Sequence, residues 1–235
     1  MGKKFNALML AWLAVSLLFW AFYLSIEFSF ILIYPHLLLF FVGVPIWIYR
    51  QKIRAFLGAW KLGGFKKFLL LGYGMVLLEE VLVALVHSLN EGFTLALFLQ
   101  RIGQFWAFNL LAFTGLILAW HLLTSRIKFS FNEAFYLVGI FGLFSERVIF
   151  LIFSNPAAFA FAAAPMIFVY GLILTPALFS AEKTGIEGKK EIHPLLKYAL
   201  SLVLPFLLAI IPILILSALR ENFPLAFPPP EFIPL

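Results

Sequence analysis

Apolar runs of about twenty residues recur along the whole chain, and few folds accommodate that pattern. A helix rising 1.5 Å per residue needs roughly twenty residues to cross about 30 Å of hydrocarbon. Runs of that order lie at 6–24, 27–49, 68–88, 103–123, 131–153, 159–179 and 198–219. Pro35 and Pro45 interrupt the second, where proline implies a kink rather than a break, because neighbouring helices can satisfy the carbonyls it frees. The predicted fold is all-α: a seven-helix polytopic membrane bundle forming one domain over residues 1–235. Composition agrees, since 12% charged residues, 64% hydrophobic residues and a mean hydropathy of +1.05 leave no segment for a soluble domain. Lys3 and Lys4 before the first run imitate a signal peptide. The run nonetheless passes Tyr23 without a small-residue cleavage site, so it reads as a retained span. The absence of cysteine excludes disulfides, thiolate metal sites and a cysteine nucleophile.

Charge distribution orients the bundle. With the N-terminus cytoplasmic and the C-terminus extracytoplasmic, Lys3, Lys4, Arg50, Lys52, Arg54, Lys61, Lys66, Lys67, Arg126, Lys128, Lys183, Lys189, Lys190 and Lys197 all fall inside. Only Arg101 and Arg220 fall outside, and Arg147 falls within the fifth run, an asymmetry of the positive-inside kind. The net charge of +6 therefore points to the bilayer and to anionic lipid head groups at the cytoplasmic face, not to nucleic acid. A cell-membrane location is expected. Residues 51–66 place Ile53, Phe56, Leu57 and Trp60 on one helical stripe, with Lys52, Arg54 and Lys61 off it. An interfacial helix and a basic connecting loop both fit. Residues 181–194 read as a solvent loop, and the proline density of 221–235 as an extended tail.

Two adjacent carboxylates, Glu79 and Glu80, lie within the third run. Helical rise puts Glu79 about 17 Å and Glu146 about 21 Å along their spans from the cytoplasmic side, at similar depth. His36 and Asn109 fall within about 13 Å and 8 Å of the outer edge, and His87 two turns beyond Glu80. Ionisable groups at such depth cost about 2.5–3.5 kcal/mol each and normally face a bundle interior or a wet cavity. A polar cleft formed by Glu79, Glu80, Glu146, Arg147, Asn109, His36 and His87 is expected. Three glutamates face only Arg147 there, so protons, a cation, a metal or a substrate group must complete the balance. Structural alternatives stand beside each residue: a salt bridge from Arg147 to the third span, a backbone hydrogen bond for His36, an interhelical one for Asn109, and an interfacial place for His87. As neighbours, Glu79 and Glu80 point about 100° apart, which suggests that one enters the cleft and the other pairs with Arg147.

A recurrence adds to this. Gly72, Glu79 and Val81 repeat the spacing of Gly139, Glu146 and Val148, and Gly115-Leu-Ile-Leu recurs at Gly171. Parallel duplication, known among transport proteins, and chance repetition of common residues both account for it. The favoured function is a proton- or cation-coupled transporter of a small substrate. The alternatives are an intramembrane hydrolase, in which a glutamate activates water against a peptide or lipid bond, and a non-catalytic scaffold subunit. The Glu79–Glu80 pair resembles the first motif, EExxxR, of the prenyl-protein-processing (CAAX) and bacteriocin-processing membrane proteases, whose later motifs are FxxxH and HxxxN. Here Val81-Leu82-Val83-Ala84 carries no arginine, Phe105 leads to Asn109 instead of histidine, and HxxxN is absent, so the likeness covers one dipeptide and does not establish membership. No cofactor is named by the sequence, and no histidine pair has metal-ligand spacing.

Overall fold

In the computed structural model, residues 3–182, 190–224 and 227 are described. The loop segment 183–189 and most of the proline-rich tail lie outside them. The described residues form helices and no strand. In order these are α1 (Lys3–Ile26), α2 (Phe30–Leu37), a π-helical segment (Leu38–Gly43), α3 (Val44–Ile48), α4 (Arg50–Ala59), α5 (Gly64–Asn90), α6 (Leu95–Ala112), α7 (Thr114–Arg126), α8 (Phe131–Ser145), a 3-10 turn (Val148–Phe150), α9 (Leu151–Ser154), α10 (Pro156–Glu182) and α11 (Pro194–Asn222). Four of them, α1, α5, α10 and α11, are each long and apolar enough to cross a membrane. Three bent pairs raise the number of candidate spans to seven if each counts as one.

The bends fall at points of backbone chemistry. Between Pro35 and Pro45 the helix loosens into the π segment, where the Val44 N–H bonds the Leu39 carbonyl five residues back. The sharp turn comes later, at Tyr49, and sets α4 at 73° to the helix before it. The crosswise α4 buries Leu57 and leaves Phe56 exposed. Its last carbonyls are capped by Lys67, whose Nζ donates to Leu57 O at 2.9 Å and Trp60 O at 3.0 Å, placing a cation at a helix C-terminus. α6 and α7 meet at 43° at Phe113. The fifth run is not one continuous helix. α8 starts on a Ser130–Glu133 capping box, stops at Ser145, and is followed across left-handed Arg147 (φ 59°) by short helices turned 76° away.

α10 is the central helix. It is apolar around its whole circumference, and a helix of that kind is stable only when surrounded. It packs on α8, α5 and α1, and Trp12 of α1 donates to Ala160 O at 2.6 Å. Glycine lets α8 come close: a Cβ on Gly139 would sit 2.2 Å from Ile167 O, and one on Gly142 2.4 Å from the Tyr170 ring. Small residues at such contacts supply the packing that drives helix association in lipid, where no hydrophobic effect separates the helices from their solvent. α11 lies against α7 in the same way, through Gly115 against the Ala209 backbone. The recurring motifs therefore pack differently: Gly72 faces Ile117, Gly139 faces Ile167, and Gly171 faces Phe135.

One end of the bundle collects the basic residues. Arg54 lies over the rings of Phe131 and Phe179, Lys197 pairs with Glu133 at 3.0 Å, and Lys190 bonds backbone-to-backbone with Arg126 and Lys128. There Lys128 also donates to Glu191 at 2.6 Å and holds that carboxyl below its ordinary range. The start of α8 is thereby tied to the ends of α7 and α10 and to the beginning of α11. Gly139→Leu should force α8 off α10 and cost about 1–3 kcal/mol, as overpacking does. A thermal melt of the detergent-solubilised variant should show a clear loss, and a wild-type melting curve would refute the close-packed contact.

Candidate functional site

Near the middle of α5 both Glu79 and Glu80 are buried, exposed by only 7% and 4%. Neither is alone on its face. The two carboxyl groups lie within hydrogen-bonding reach of each other, so the 100° separation of neighbours on a helix does not send one of them away. Glu79 Oε1 accepts a hydrogen bond from Tyr34 Oη of α2, while Glu79 Oε2 is buried without a donor.

Glu146 approaches from the far side. It caps the C-terminus of α8, and its Oε1 accepts from Tyr170 Oη, which projects from the middle of α10. From there its charge acts on both Glu79 and Glu80. The buried Glu79–Glu80 pair with Tyr34, and the exposed Glu146 with Tyr170, thus lie in one region at mid-bundle, drawn from α2, α5, α8 and α10, without converging on a single point.

The local folding explains the placement. α8 spans about 22 Å by its 1.5 Å rise, against about 40 Å for α10, so its C-terminus stops beside the middle of α10. A helix ending there presents carbonyls and a partial negative charge. Part of that end is closed internally, by Glu146 N–H to Gly142 O at 3.0 Å, Arg147 N–H to Phe144 O at 3.2 Å and Ser145 Oγ to Gly142 O at 3.1 Å. The negative helix end and the three acids therefore share one region.

The other expected residues lie elsewhere. Arg147 sits exposed in the left-handed turn beyond α8, and among the described residues no basic side chain forms an ion pair with Glu79, Glu80 or Glu146. His36 is taken up by backbone, its Nδ1 3.3 Å from Leu32 O and its Nε2 3.1 Å from Leu17 O, and so fastens α2 to α1. His87 is buried against the edge of the Phe105 ring at 5.4 Å. Asn109 is half-buried on α6, and its side chain hydrogen-bonds no described residue. Glu91, beyond α5, pairs with Arg101 at 2.6 Å, away from the cluster. No group of three metal-ligating side chains occurs among the described residues.

Comparison with family models, with curated proteins and with solved structures finds no match.

Tyr34 and Tyr170 are the residues that sequence reasoning missed. Their signal was weak but physical: a tyrosine hydroxyl inside an apolar span needs an acceptor, and the only strong acceptors at that depth are the glutamates. Tyr34→Phe should leave a buried Glu79 oxygen without its donor and cost about 1–3 kcal/mol, and Tyr170→Phe should cost less, because its acceptor Glu146 is exposed. A double-mutant cycle of Tyr170→Phe with Glu146→Gln, read from thermal melts, should show coupling. Strict additivity would mean that the two side chains do not interact.

Proposed function

We propose that this protein is a multi-pass carrier in the cell membrane. Seven spans place its N-terminus in the cytoplasm and its C-terminus outside, and it moves a small substrate coupled to a proton or small cation bound at Glu79, Glu80 and Glu146. The observation that carries this reading is the burial of Glu79 and Glu80 side by side on α5, with Glu146 held by Tyr170 at the C-terminus of α8, where no described basic side chain pairs with them. The positive end of the bundle, gathering Arg54, Lys67, Lys190 and Lys197, supports the orientation.

Three carboxylates cannot all remain charged and uncompensated in an apolar layer. Within the Glu79–Glu80 pair, two carboxylates offer only acceptors to one another, and a proton on either one supplies the missing donor to Glu79 Oε2. A cation could equally be held by carboxylate oxygens beside the helix end, the arrangement by which broken transporter helices coordinate Na⁺ or protons. Tyr34 and Tyr170 hold one oxygen of Glu79 and one of Glu146 in place, leaving the second oxygens for the ion. Exchange of that ion between the two sides is the coupling step. A hydrolase is less well supported, because His36, His87 and Asn109, the partners that would help a glutamate activate water, do not join the carboxylates.

Reconstitution into liposomes containing a pH-sensitive dye tests the proposal. Imposed Na⁺, K⁺ or voltage gradients should move protons or cations faster than in empty vesicles. Glu79→Gln, Glu80→Gln and Glu146→Gln should each slow that flux by about tenfold or more, the equivalent of little more than 1 kcal/mol in a barrier. Flux no greater than in empty vesicles, or three variants as active as wild type, would overturn the carrier in favour of a structural role for the acids.

A further inference from the structure

A second feature lies apart from the acid cluster. Between α1, the π segment with α3, α8 and α10 there is a cavity of about 290 Å³. Its walls are aliphatic and aromatic, with Leu13, Leu17, Leu39 and Leu172 deep inside. Polar lining gathers at one end, where Asn6 begins α1 and Asn132 begins α8. From Asn6 to Leu17 the lining follows α1 for about 16 Å at 1.5 Å per residue. The space is thus long and mostly apolar, with the two asparagines at its mouth and the Thr175 hydroxyl on its wall spent on Gly171 O at 2.9 Å. Leu10, Phe40, Val44 and Trp47, exposed on the outer side, leave it open laterally toward the bilayer.

The mouth carries positive charge. Arg50 lies 4.4 Å over the Trp47 ring and Arg54 4.5 Å over the Phe179 ring, and both rings line the cavity. Arg50 also donates from Nη1 to Trp47 O at 3.4 Å and Arg54 Nε is buried, so both guanidinium groups are fixed at the rim on aromatic faces, where their positive charge suits a phosphate. Lys3 and Lys4 lie at the same helix start as Asn6. Asn6 Oδ1 is buried without a hydrogen-bond partner and calls for a donor, such as a hydroxyl. One wall is the π-helical segment itself, a departure from α geometry that recurs at functional sites because it widens one side of a helix.

We propose that this cavity binds one acyl chain of an anionic membrane phospholipid, with its phosphate at the Arg50–Arg54 rim and a headgroup hydroxyl within reach of Asn6. The shape excludes a compact polar solute, and the charge at the mouth selects among lipids. The proposal stands independently of the carboxylate cluster: lipid can bind here whether or not the acids carry an ion.

Binding of phosphatidylglycerol and of phosphatidylcholine with identical chains, measured on delipidated protein by native mass spectrometry, tests it. The wild type should prefer phosphatidylglycerol by roughly tenfold or more, given about 1 kcal/mol per basic residue near the head group. The double change Arg50→Gln with Arg54→Gln should remove that preference while leaving chain binding. Leu10→Trp, at a half-exposed position where a larger ring can enter the mouth without disturbing the core, should weaken both lipids. Equal affinity of the wild type for the two lipids would overturn the headgroup site, and undiminished binding by Leu10→Trp would overturn the acyl site.

Discussion

The approach of α8 to α10 at Gly139 and Gly142 is the contact on which the remaining geometry depends. In lipid, helices gain nothing from leaving a solvent as apolar as themselves, so association rests on how closely backbones fit. Two glycines one turn apart let α8 lie directly on Ile167 and Tyr170. That fit sets the height at which α8 stops and brings Glu146 against the Tyr170 hydroxyl. Had α8 carried larger residues there, the same capping glutamate would hang at a different depth, away from Glu79 and Glu80.

Around that contact the bundle has two different environments. At mid-bundle the polar groups are few and acidic, Glu79 and Glu80 buried and Glu146 exposed, each tyrosine bonding one of them, and the helix end beside them adds further negative potential. At the basic end, arginines lie on aromatic rings and lysines cap carbonyls or pair with Glu133 and Glu191. By charge alone the first environment favours protons and cations, and the second favours anions.

Histidines illustrate why type and depth alone do not make a site. His36 stands at a suitable height on a helix beside the cluster, yet both ring nitrogens meet carbonyl oxygens of Leu32 and Leu17. An imidazole near a span's outer half can satisfy itself on backbone, and a carboxylate cannot, because backbone amides in a continuous helix are already used. The acids therefore had to find side-chain hydroxyls or one another. Arg147 shows the converse. It was the one basic residue expected beside the three glutamates, but α8 ends before it, and it stands exposed in the left-handed turn without an ion pair to any of them among the described residues.

Much of this was determined by the sequence itself. The length and composition of the apolar runs dictate helices in a membrane, since only an internally hydrogen-bonded backbone survives there. The place of Glu79 and Glu80 midway along one long helix follows from the run that holds them, and the lysines and arginines fall mostly between the runs. The tertiary structure decided what local rules could not: that the fifth run breaks at Arg147, that the bend of the second falls at Tyr49 rather than at either proline, and that Tyr34 and Tyr170 supply the donors. Each depends on which helix lies against which face, and in a chain apolar on nearly every face, periodicity does not mark that face. Backbone proximity marks it, and that arises only once the helices have packed.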